Sequence, residues 1–445
     1  FLLAVIQNEE NGQCLARTKT LQPITSAIQS IQPTRRNKAI FVRDAAGHVS
    51  ASHMTTERSL LTLPGASGIQ VFGISEKGDG LVTLDEAGDL TIWALEMPHP
   101  ESGWRTLFGK IWYENYNSSE FIWQSSAPSD DYEPKLSLVP LIFGTFKGAI
   151  YALFCAVPLA LLGAIYTSQF ARPELRAAIK PVVEIMASVP SVVIGFLIAL
   201  WLAPIVDDFL LAFFIVLFMI PLTFIVFIVL YSLLDGTALA RRVARGYEFI
   251  VVAPVLLLAC IISWLLAIPL ENALFDGNLQ MWIYENLGER YDQRNAIIIS
   301  IGLGFAAIPI IFTMAEDALS NLPTSLRAAS LALGASRWQT VWRVVFPSAS
   351  PGIFAAMIIG FGRVIGETMI VLMATGNTPI LDWSPFNGMR TLSANIAVEI
   401  PEAPVDGTLY RILFLSAVVL FLITFVLNTI AEVIRQRLRS KYARY

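Results

Sequence analysis

The sequence contains few of the residues that usually build metal and disulfide sites. Three cysteines and three histidines occur among its 445 residues, and they are scattered along the chain. Cys155 and Cys260 lie inside apolar runs, where a cysteine behaves as a small hydrophobic residue. This scarcity predicts neither a disulfide framework nor a metal site.

Charged residues are also scarce, at 15% of the chain, whereas 55% of the residues are hydrophobic. This composition, with a mean hydropathy of +0.60, is far more apolar than that of soluble domains. It predicts a membrane protein that crosses the bilayer several times. The formal net charge of −4 gives no basis for binding nucleic acid.

Two further features are missing from the sequence. It has no Gly-rich nucleotide-binding signature ending in Lys and Ser or Thr, so we expect no ATP site or other cofactor in this chain. It begins at Phe1 rather than Met and has no recognisable signal peptide, so we expect that an N-terminal portion is missing.

Residues 1–135 contain no apolar run near the roughly 18–20 residues that span a bilayer, and they predict a β-rich domain outside it. Two segments repeat each other: strand-like residues 40–43 and 81–84 each precede an Asp-x-Ala-Gly turn, with Asp44 and Asp85 41 positions apart. A period near 40 is typical of propeller blades. Two repeats cannot close a propeller, so a small β-sandwich stays an equal alternative.

Residues 136–445 predict an all-α polytopic membrane domain. Each of its apolar runs is long enough to cross a hydrocarbon core of roughly 30 Å as a helix. The seven runs are about 141–168, 183–204, 209–234, 249–270, 295–317, 350–373 and 410–433.

The loops between these runs alternate in charge. The basic segments are 169–182, 235–248, 318–349 and the tail after residue 433, whereas 271–294 and 374–409 are poor in Lys and Arg. Basic loops are cytoplasmic by the positive-inside rule. We therefore expect a multi-pass protein of a bacterial inner membrane, with residues 1–140 extracytoplasmic and the C-terminus cytoplasmic.

The segment Thr324–Pro347 lies between two apolar runs and carries three arginines, so it cannot itself cross the membrane. Apolar residues at helical spacing after Pro323 predict a short amphipathic helix. Gly334 and a second segment ended by Pro347 follow. Taken alone, an ordinary connecting helix explains this pattern.

This spacing resembles the coupling loop of ABC importer permeases, which has Glu-Ala-Ala, then Gly, then a Pro-ended segment. Ala328 stands at the motif's Glu position, and Ala329, Gly334 and Pro347 match its other marks. The resemblance implies that the loop 318–349 contacts a partner ATPase, which binds and hydrolyses ATP. The chain would then be a transport subunit and not an enzyme.

Further segments follow one another in a recognisable order: Gly144-Thr145, 184–193, the coupling loop, 362–369 and 390–397. Together they resemble the PstC-type permease of phosphate-specific ABC importers. The resemblance covers residues 140–204 and 295–435, and residues 205–294 lie outside the usual pattern. It implies an ABC importer permease bundle that translocates inorganic phosphate with an ATPase dimer, a second permease subunit of the A type and an extracytoplasmic phosphate-binding protein.

Arg363 and Glu367 are the charged residues of the run 350–373. Their spacing predicts one helical face, and the cost of a charge at mid-membrane predicts a bundle interior or a wet cavity. A structural ion pair and an anion pathway explain the residues equally well, because an Arg fork can bind two oxygens of phosphate. The resemblance favours the pathway.

Two other functions stay open. A permease for another oxyanion, such as sulfate or molybdate, would carry the same coupling loop. A membrane-anchored sensor would use the β-rich region to bind a ligand outside, but it needs neither the coupling loop nor Arg363.

Overall fold

The computed structural model describes residues 2–8, 12–21, 26–34, 37–63, 68–114, 116–126, 133–233 and 249–442. The basic loop predicted at 235–248 therefore lies outside the described residues. Two units can be separated along the chain: residues 1–142 with 399–416, and residues 143–398 with 417–445.

The first unit is rich in antiparallel strands. β1 pairs with β2, β3 to β6 form a four-stranded meander, β7 to β9 form a three-stranded meander, and β10 pairs with β11. The strands are Leu2–Asn8 (β1), Gly12–Lys19 (β2), Ile28–Pro33 (β3), Ala39–Asp44 (β4), Val49–His53 (β5), Ser59–Thr62 (β6), Ile69–Ile74 (β7), Gly80–Asp85 (β8), Leu90–Ala94 (β9), Trp123–Gln124 (β10) and Lys135–Leu136 (β11).

Both predicted hairpins are confirmed. β4 pairs with β5 and β8 pairs with β9, and the repeated Asp-x-Ala-Gly turn joins the strands in each case. Asp44 Oδ1 accepts from the amide of His48, and Asp85 Oδ1 accepts from the amide of Asp89, at 2.8 Å in both turns. Gly47 supplies the positive φ of +78° that the first turn requires. The two meanders share one buried apolar core.

The second unit is helical. Within the described ranges, the helices of both units are Trp104–Phe108 (α1), Val139–Gln169 (α2), Pro173–Ser188 (α3), Ser191–Leu197 (α4), Ala203–Asp208 (α5), Leu210–Leu233 (α6), Phe249–Leu274 (α7), Leu279–Leu287 (α8), Ala296–Ser320 (α9), Thr324–Ala332 (α10), Arg337–Thr340 (α11), Phe346–Gly366 (α12), Met369–Ala374 (α13), Leu392–Glu399 (α14) and Thr408–Tyr442 (α15). π turns at Ile198–Leu202 and Val341–Val345 join α4 to α5 and α11 to α12.

Among the described residues, six helical stretches are long and apolar enough to cross a membrane, and Leu210–Val226 is a shorter apolar helix. Together they account for the seven predicted runs. Two boundaries were wrong, because the helices are interrupted within the predicted spans 183–204 and 350–373. The corresponding stretches are Ser191–Asp208 and Arg337–Gly366.

The two π turns explain how these stretches tolerate proline. In each, the residue after the turn donates its amide to the carbonyl five positions back, Ala203 to Ile198 and Phe346 to Val341. A proline ring clashes with the carbonyl four residues earlier in an α-helix, and the wider turn before Pro204 and Pro347 relieves this clash. The prediction that Pro347 ends a segment was therefore wrong.

Helix α9 is the most buried of the six candidate membrane spans and packs against α12. A Cβ atom at Gly352 would overlap the side chain of Ala318, and one at Gly360 would overlap Ile311. Small residues thus let the two helices approach closely, as is common in membrane bundles. This contact fixes α12, which carries Arg363, against the core.

Candidate functional site

Two interrupted helices form the framework of the site. α3 ends at Ser188, Val189 is extended with ψ 126°, and α4 starts after Pro190. α12 ends at Gly366, Glu367 is extended with ψ 121°, and α13 starts at Met369. Proline explains the first interruption, because it lacks the amide that would continue the helix.

The helices that follow the two interruptions, α4 and α13, pack directly on each other. Gly195 of α4 permits this contact: a Cβ atom there would lie 3.0 Å from Cβ of Met373 and 3.1 Å from the carbonyl oxygen of Met369. Any larger residue at position 195 would therefore push the two helices apart.

Arg363 and Glu367 flank the second interruption. Arg363 lies in the last turn of α12, and Glu367 lies just past the end of that helix. The expectation of a single helical face through both residues was wrong, because the backbone leaves the helix between them. Arg363 Nη2 and Glu367 Oε2 are 4.0 Å apart, and the side chains are 45% and 8% exposed, respectively. This separation exceeds the roughly 2.7–2.9 Å of a charge-assisted hydrogen bond.

The segment Arg390–Ala397 packs against this interruption. Ser393 Oγ donates to the carbonyl oxygen of Glu367 at 3.1 Å, and the amide of Leu392 donates to Thr145 Oγ1 at 3.0 Å. A Cβ atom at Gly144 would overlap the carbonyl oxygen of Arg390. Three segments that the sequence singled out separately, around residues 144, 363 and 391, are therefore brought together.

The segment Thr324–Pro347, which resembles a coupling loop and is called the coupling segment below, is a second candidate site on the same unit. Its amphipathic helix, α10, ends at Ala332, and Gly334 reverses the chain with a φ of +85°. Helix α11 begins with a capping box in which Gln339 N donates to Ser336 Oγ and Ser336 N donates to Gln339 Oε1, at 3.2 and 2.8 Å. The capping box fixes where the second helix starts.

Three of the four residues predicted for partner contact lie on the exposed surface of this segment: Ala328, Ala329 and Gly334. Leu333 beside them is 89% exposed, which is unusual for a large apolar side chain. Pro347 does not share this surface, because it lies half-buried in the first turn of α12.

A buried carboxylate that the sequence reasoning missed lies where α9 ends and the coupling segment begins. Glu316 is fully buried, accepts a hydrogen bond from Ser320 Oγ at 2.7 Å and forms an ion pair with Arg176 Nη2 at 2.5 Å. Lys180 Nζ forms a second ion pair, 3.0 Å from the other carboxylate oxygen of Glu316. The i,i+4 spacing of Arg176 and Lys180 was visible in the sequence, but their shared partner lies more than a hundred positions away.

Two further contacts extend this cluster. Lys180 Nζ also lies 3.0 Å from Asp317 Oδ1, and hydrogen bonds to Glu316 and Asp317 raise the pKa of Lys180 above its usual value. Arg327, in the first turn of α10, donates to the carbonyl oxygen of Leu319 at 2.7 Å. A cation at a helix C-terminus satisfies its last carbonyls and complements the helix dipole.

Comparison with known proteins gives the family. Residues 204–443 match the model of the binding-protein-dependent transport system inner membrane component family. The chain is 27% identical over 306 residues to the probable ABC transporter permease protein YqgH of Bacillus subtilis, which covers 69% of this chain and 74% of that protein. It is 26% identical over 309 residues to the phosphate transport system permease protein PstC of Xylella fastidiosa, covering 69% and 76%.

Among solved structures, an inward-facing form of the MetNI methionine ABC transporter aligns with 68% of this chain and 94% of that chain, at 17% identity and a TM-score of 0.35. The family match spans more than half of the sequence and includes the coupling segment and Arg363. The chain therefore belongs to the binding-protein-dependent transport system inner membrane components and is a membrane-spanning ABC transporter permease.

Proposed function

We propose that this permease imports inorganic phosphate, driven by ATP hydrolysis on a partner ATPase. The observation that carries the proposal is the position of Arg363, a half-exposed guanidinium at a helix interruption within the membrane domain. A charge within a candidate membrane-spanning helix is costly unless it has a function or a close partner. Glu367, at 4.0 Å, is a distant partner.

The chemistry of this pair suits a tetrahedral oxyanion. The planar guanidinium can donate two parallel N–H bonds to two phosphate oxygens, which a lysine cannot do with the same geometry. Glu367 then balances the charge of Arg363 when no anion is bound.

The relatives support phosphate as the substrate. The PstC protein of Xylella fastidiosa, by its name a phosphate transport permease, covers 69% of this chain. Sulfate or molybdate stays the alternative, because both are tetrahedral oxyanions that a guanidinium fork can bind.

For coupling, we propose that Ala328, Ala329 and Gly334 contact an ATPase subunit, since they lie on an exposed segment beside the protruding Leu333. The role of Pro347 is then indirect: with the preceding π turn it sets the start of α12 after the loop. The working assembly would contain an ATPase dimer, a second permease of the A type and an extracytoplasmic phosphate-binding protein.

For topology, the loop charges support a cytoplasmic coupling segment and an extracytoplasmic β-rich region over residues 1–135. Protease added to intact spheroplasts should cut within residues 1–135 and spare the basic tail after Arg435. Cleavage of the tail with protection of the N-terminal region would invert this topology.

Substrate identity is tested by uptake of radiolabelled phosphate into proteoliposomes that contain the complete transporter. We expect ATP-dependent uptake that a tenfold excess of unlabelled phosphate suppresses and that the same excess of sulfate or molybdate leaves unchanged. ATP-dependent uptake of radiolabelled sulfate or molybdate, with no uptake of phosphate, would reject phosphate in favour of the other oxyanion. A transporter that hydrolyses ATP but moves none of these anions would reject the oxyanion class.

A further inference from the structure

We propose that Glu316 is a positioning residue for coupling: it ties α3 to the base of the coupling helix, so that movement of α10 is transmitted to the interrupted helices. The inference rests on the proposed function in one respect, the contact between α10 and an ATPase. It concerns residues of α3, α9 and α10 rather than the anion site.

The burial of Glu316 requires cations from α3. An unpaired carboxylate inside a protein costs several kcal/mol or loses its charge, and Glu316 is fully buried. Arg176 and Lys180, one helical turn apart on α3, supply two cations at 2.5 and 3.0 Å. Ser320 completes the set, because its hydroxyl donates to Glu316 and accepts from Arg176 at 2.7 Å. α3 is therefore fixed to α9 at the last turns of α9.

The coupling helix is fixed to the same place from the other side. Arg327 donates to the carbonyl oxygen of Leu319, one position before Ser320. On the far side of Gly334, Ser330 Oγ and Thr340 Oγ1 are 2.9 Å apart and join α10 to α11. The end of α9 thus holds α10 through Arg327 and holds α3 through Glu316.

Helix α3 leads from this cluster to the anion site. It ends at Ser188, and the chain passes through Val189 and Pro190 into α4, which packs against α13 beyond Glu367. A tilt of α10 that moves the end of α9 would displace α3 only while the ionic cluster holds. If Glu316 loses its charge, the two helices can move independently.

Asp317 provides a matched control. It is the next residue along α9, carries the same charge and also lies 3.0 Å from Lys180, but its side chain is 52% exposed. Removing the charge of Asp317 leaves the contacts of Arg176 and Lys180 to Glu316 in place. Because Arg176 and Lys180 are themselves partly exposed, water can solvate them after Glu316→Gln, and the chain should still fold.

The first experiment measures the number of phosphate ions transported per ATP hydrolysed in proteoliposomes with the complete transporter. Losing a charge-assisted contact should lower this ratio about tenfold in Glu316→Gln, whereas Asp317→Asn should stay near wild type. A double-mutant cycle adds Arg176→Gln: the double variant should lose no more than the more affected single variant. An unchanged ratio in Glu316→Gln, equal losses in both carboxylate variants, or additive losses in the cycle would overturn the proposal.

The second experiment does not depend on substrate or ATPase. Spin labels at the exposed positions Ala177 of α3 and Ser325 of α10, in a chain whose cysteines are replaced by serine, report the distance between these helices. We expect one narrow distance distribution in the parent chain and in Asp317→Asn, and a clearly broader one in Glu316→Gln. A distance distribution that stays narrow in Glu316→Gln would reject the role of Glu316 in holding the helices, even if phosphate proves to be the substrate. A broader distribution would support that role even if phosphate is not the substrate.

Discussion

Two charged clusters in the helical unit have opposite geometries. Around Glu316, a fully buried carboxylate meets cations at 2.5 and 3.0 Å and a hydroxyl at 2.7 Å. Around Arg363, a half-exposed guanidinium is 4.0 Å from the carboxylate of Glu367. The first cluster is closed, because its charges are matched within the protein. The second is loose, and its cation keeps donor capacity for another acceptor.

The difference teaches how to read a charge inside a membrane domain. Burial alone does not mark a binding residue, since Glu316 is more buried than Arg363 and has better contacts. A closed cluster holds helices together and should affect how motions are transmitted. A loose cation beside a helix interruption should affect what is bound. Substitutions around Glu316 should therefore change the coupling of transport to ATP hydrolysis, whereas substitutions around Arg363 should change the uptake of the anion.

The largest effect is expected from Arg363→Leu, which removes the proposed anion-binding cation. Phosphate uptake should fall about 100-fold or more, because two charge-assisted hydrogen bonds are lost. Arg363→Lys keeps the positive charge but loses the planar guanidinium, so phosphate uptake by this variant should fall about tenfold. Uptake is measured at matched amounts of protein in the membrane. Normal phosphate uptake by Arg363→Leu would show that the Arg363–Glu367 pair has a structural role and does not bind the anion.

Gly334→Val should have the next largest effect. Gly334 has a φ of +85° and open space around it, so a side chain would strain the backbone without meeting a neighbour. That strain costs about 1–2 kcal/mol and should shift the exposed turn between α10 and α11. We expect ATP hydrolysis to continue while phosphate uptake falls severalfold.

The control for this prediction is Ala332→Val, on the last residue of α10, where the backbone is helical. An exposed substitution of this kind should leave both rates near wild type. If phosphate uptake and ATP hydrolysis change equally in Gly334→Val and Ala332→Val, Gly334 has no specific role in coupling.

Glu367→Gln should be milder than either change at Arg363. Glutamine keeps the shape of the side chain, and the backbone carbonyl at position 367 still accepts from Ser393. Uptake should fall only a few-fold, since Arg363 remains available to the anion while its counter-charge is gone. A loss as complete as that of Arg363→Leu would show that the carboxylate contacts the substrate or its proton directly.

The smallest effect concerns Lys180 in the closed cluster. Hydrogen bonds to Glu316 and Asp317 raise its pKa in the folded protein, so its ion pairs persist below the usual lysine value and are lost only as pH rises through the higher folded pKa. At pH 9 the amine should therefore react more slowly with an acetylating reagent than in Glu316→Gln. Mass spectrometry of peptides containing Lys180 measures the ratio, with the exposed Lys110 as an internal reference.

The sequence predicted one class of feature well. Apolar runs of the right length located the spans, and the repeated Asp-x-Ala-Gly turns located two hairpins, because both patterns depend on local composition. The spacing around Gly334 also predicted a short helix before this glycine and a second segment after it, and the structure has both.

Features set by distant contacts were not predictable in this way. The sequence of residues 350–373 predicts one continuous helix, yet the chain leaves the helix at Glu367. The backbone carbonyl of Glu367 accepts a hydrogen bond from Ser393 instead. Pro347 looked like a helix end because nothing in the local sequence announces a π turn. The partners of Glu316 on α3 are far along the chain, so composition alone could not identify the closed cluster.

The most direct test of the account is an electron cryomicroscopy structure of the complete transporter, trapped during ATP hydrolysis with phosphate present. We predict tetrahedral density about 3 Å from the guanidinium of Arg363, with the cluster around Glu316 unchanged and free of ligand. Phosphate bound elsewhere, with Arg363 drawn into a short ion pair with Glu367, would contradict the claim that the loose cluster binds the substrate and the closed one transmits motion.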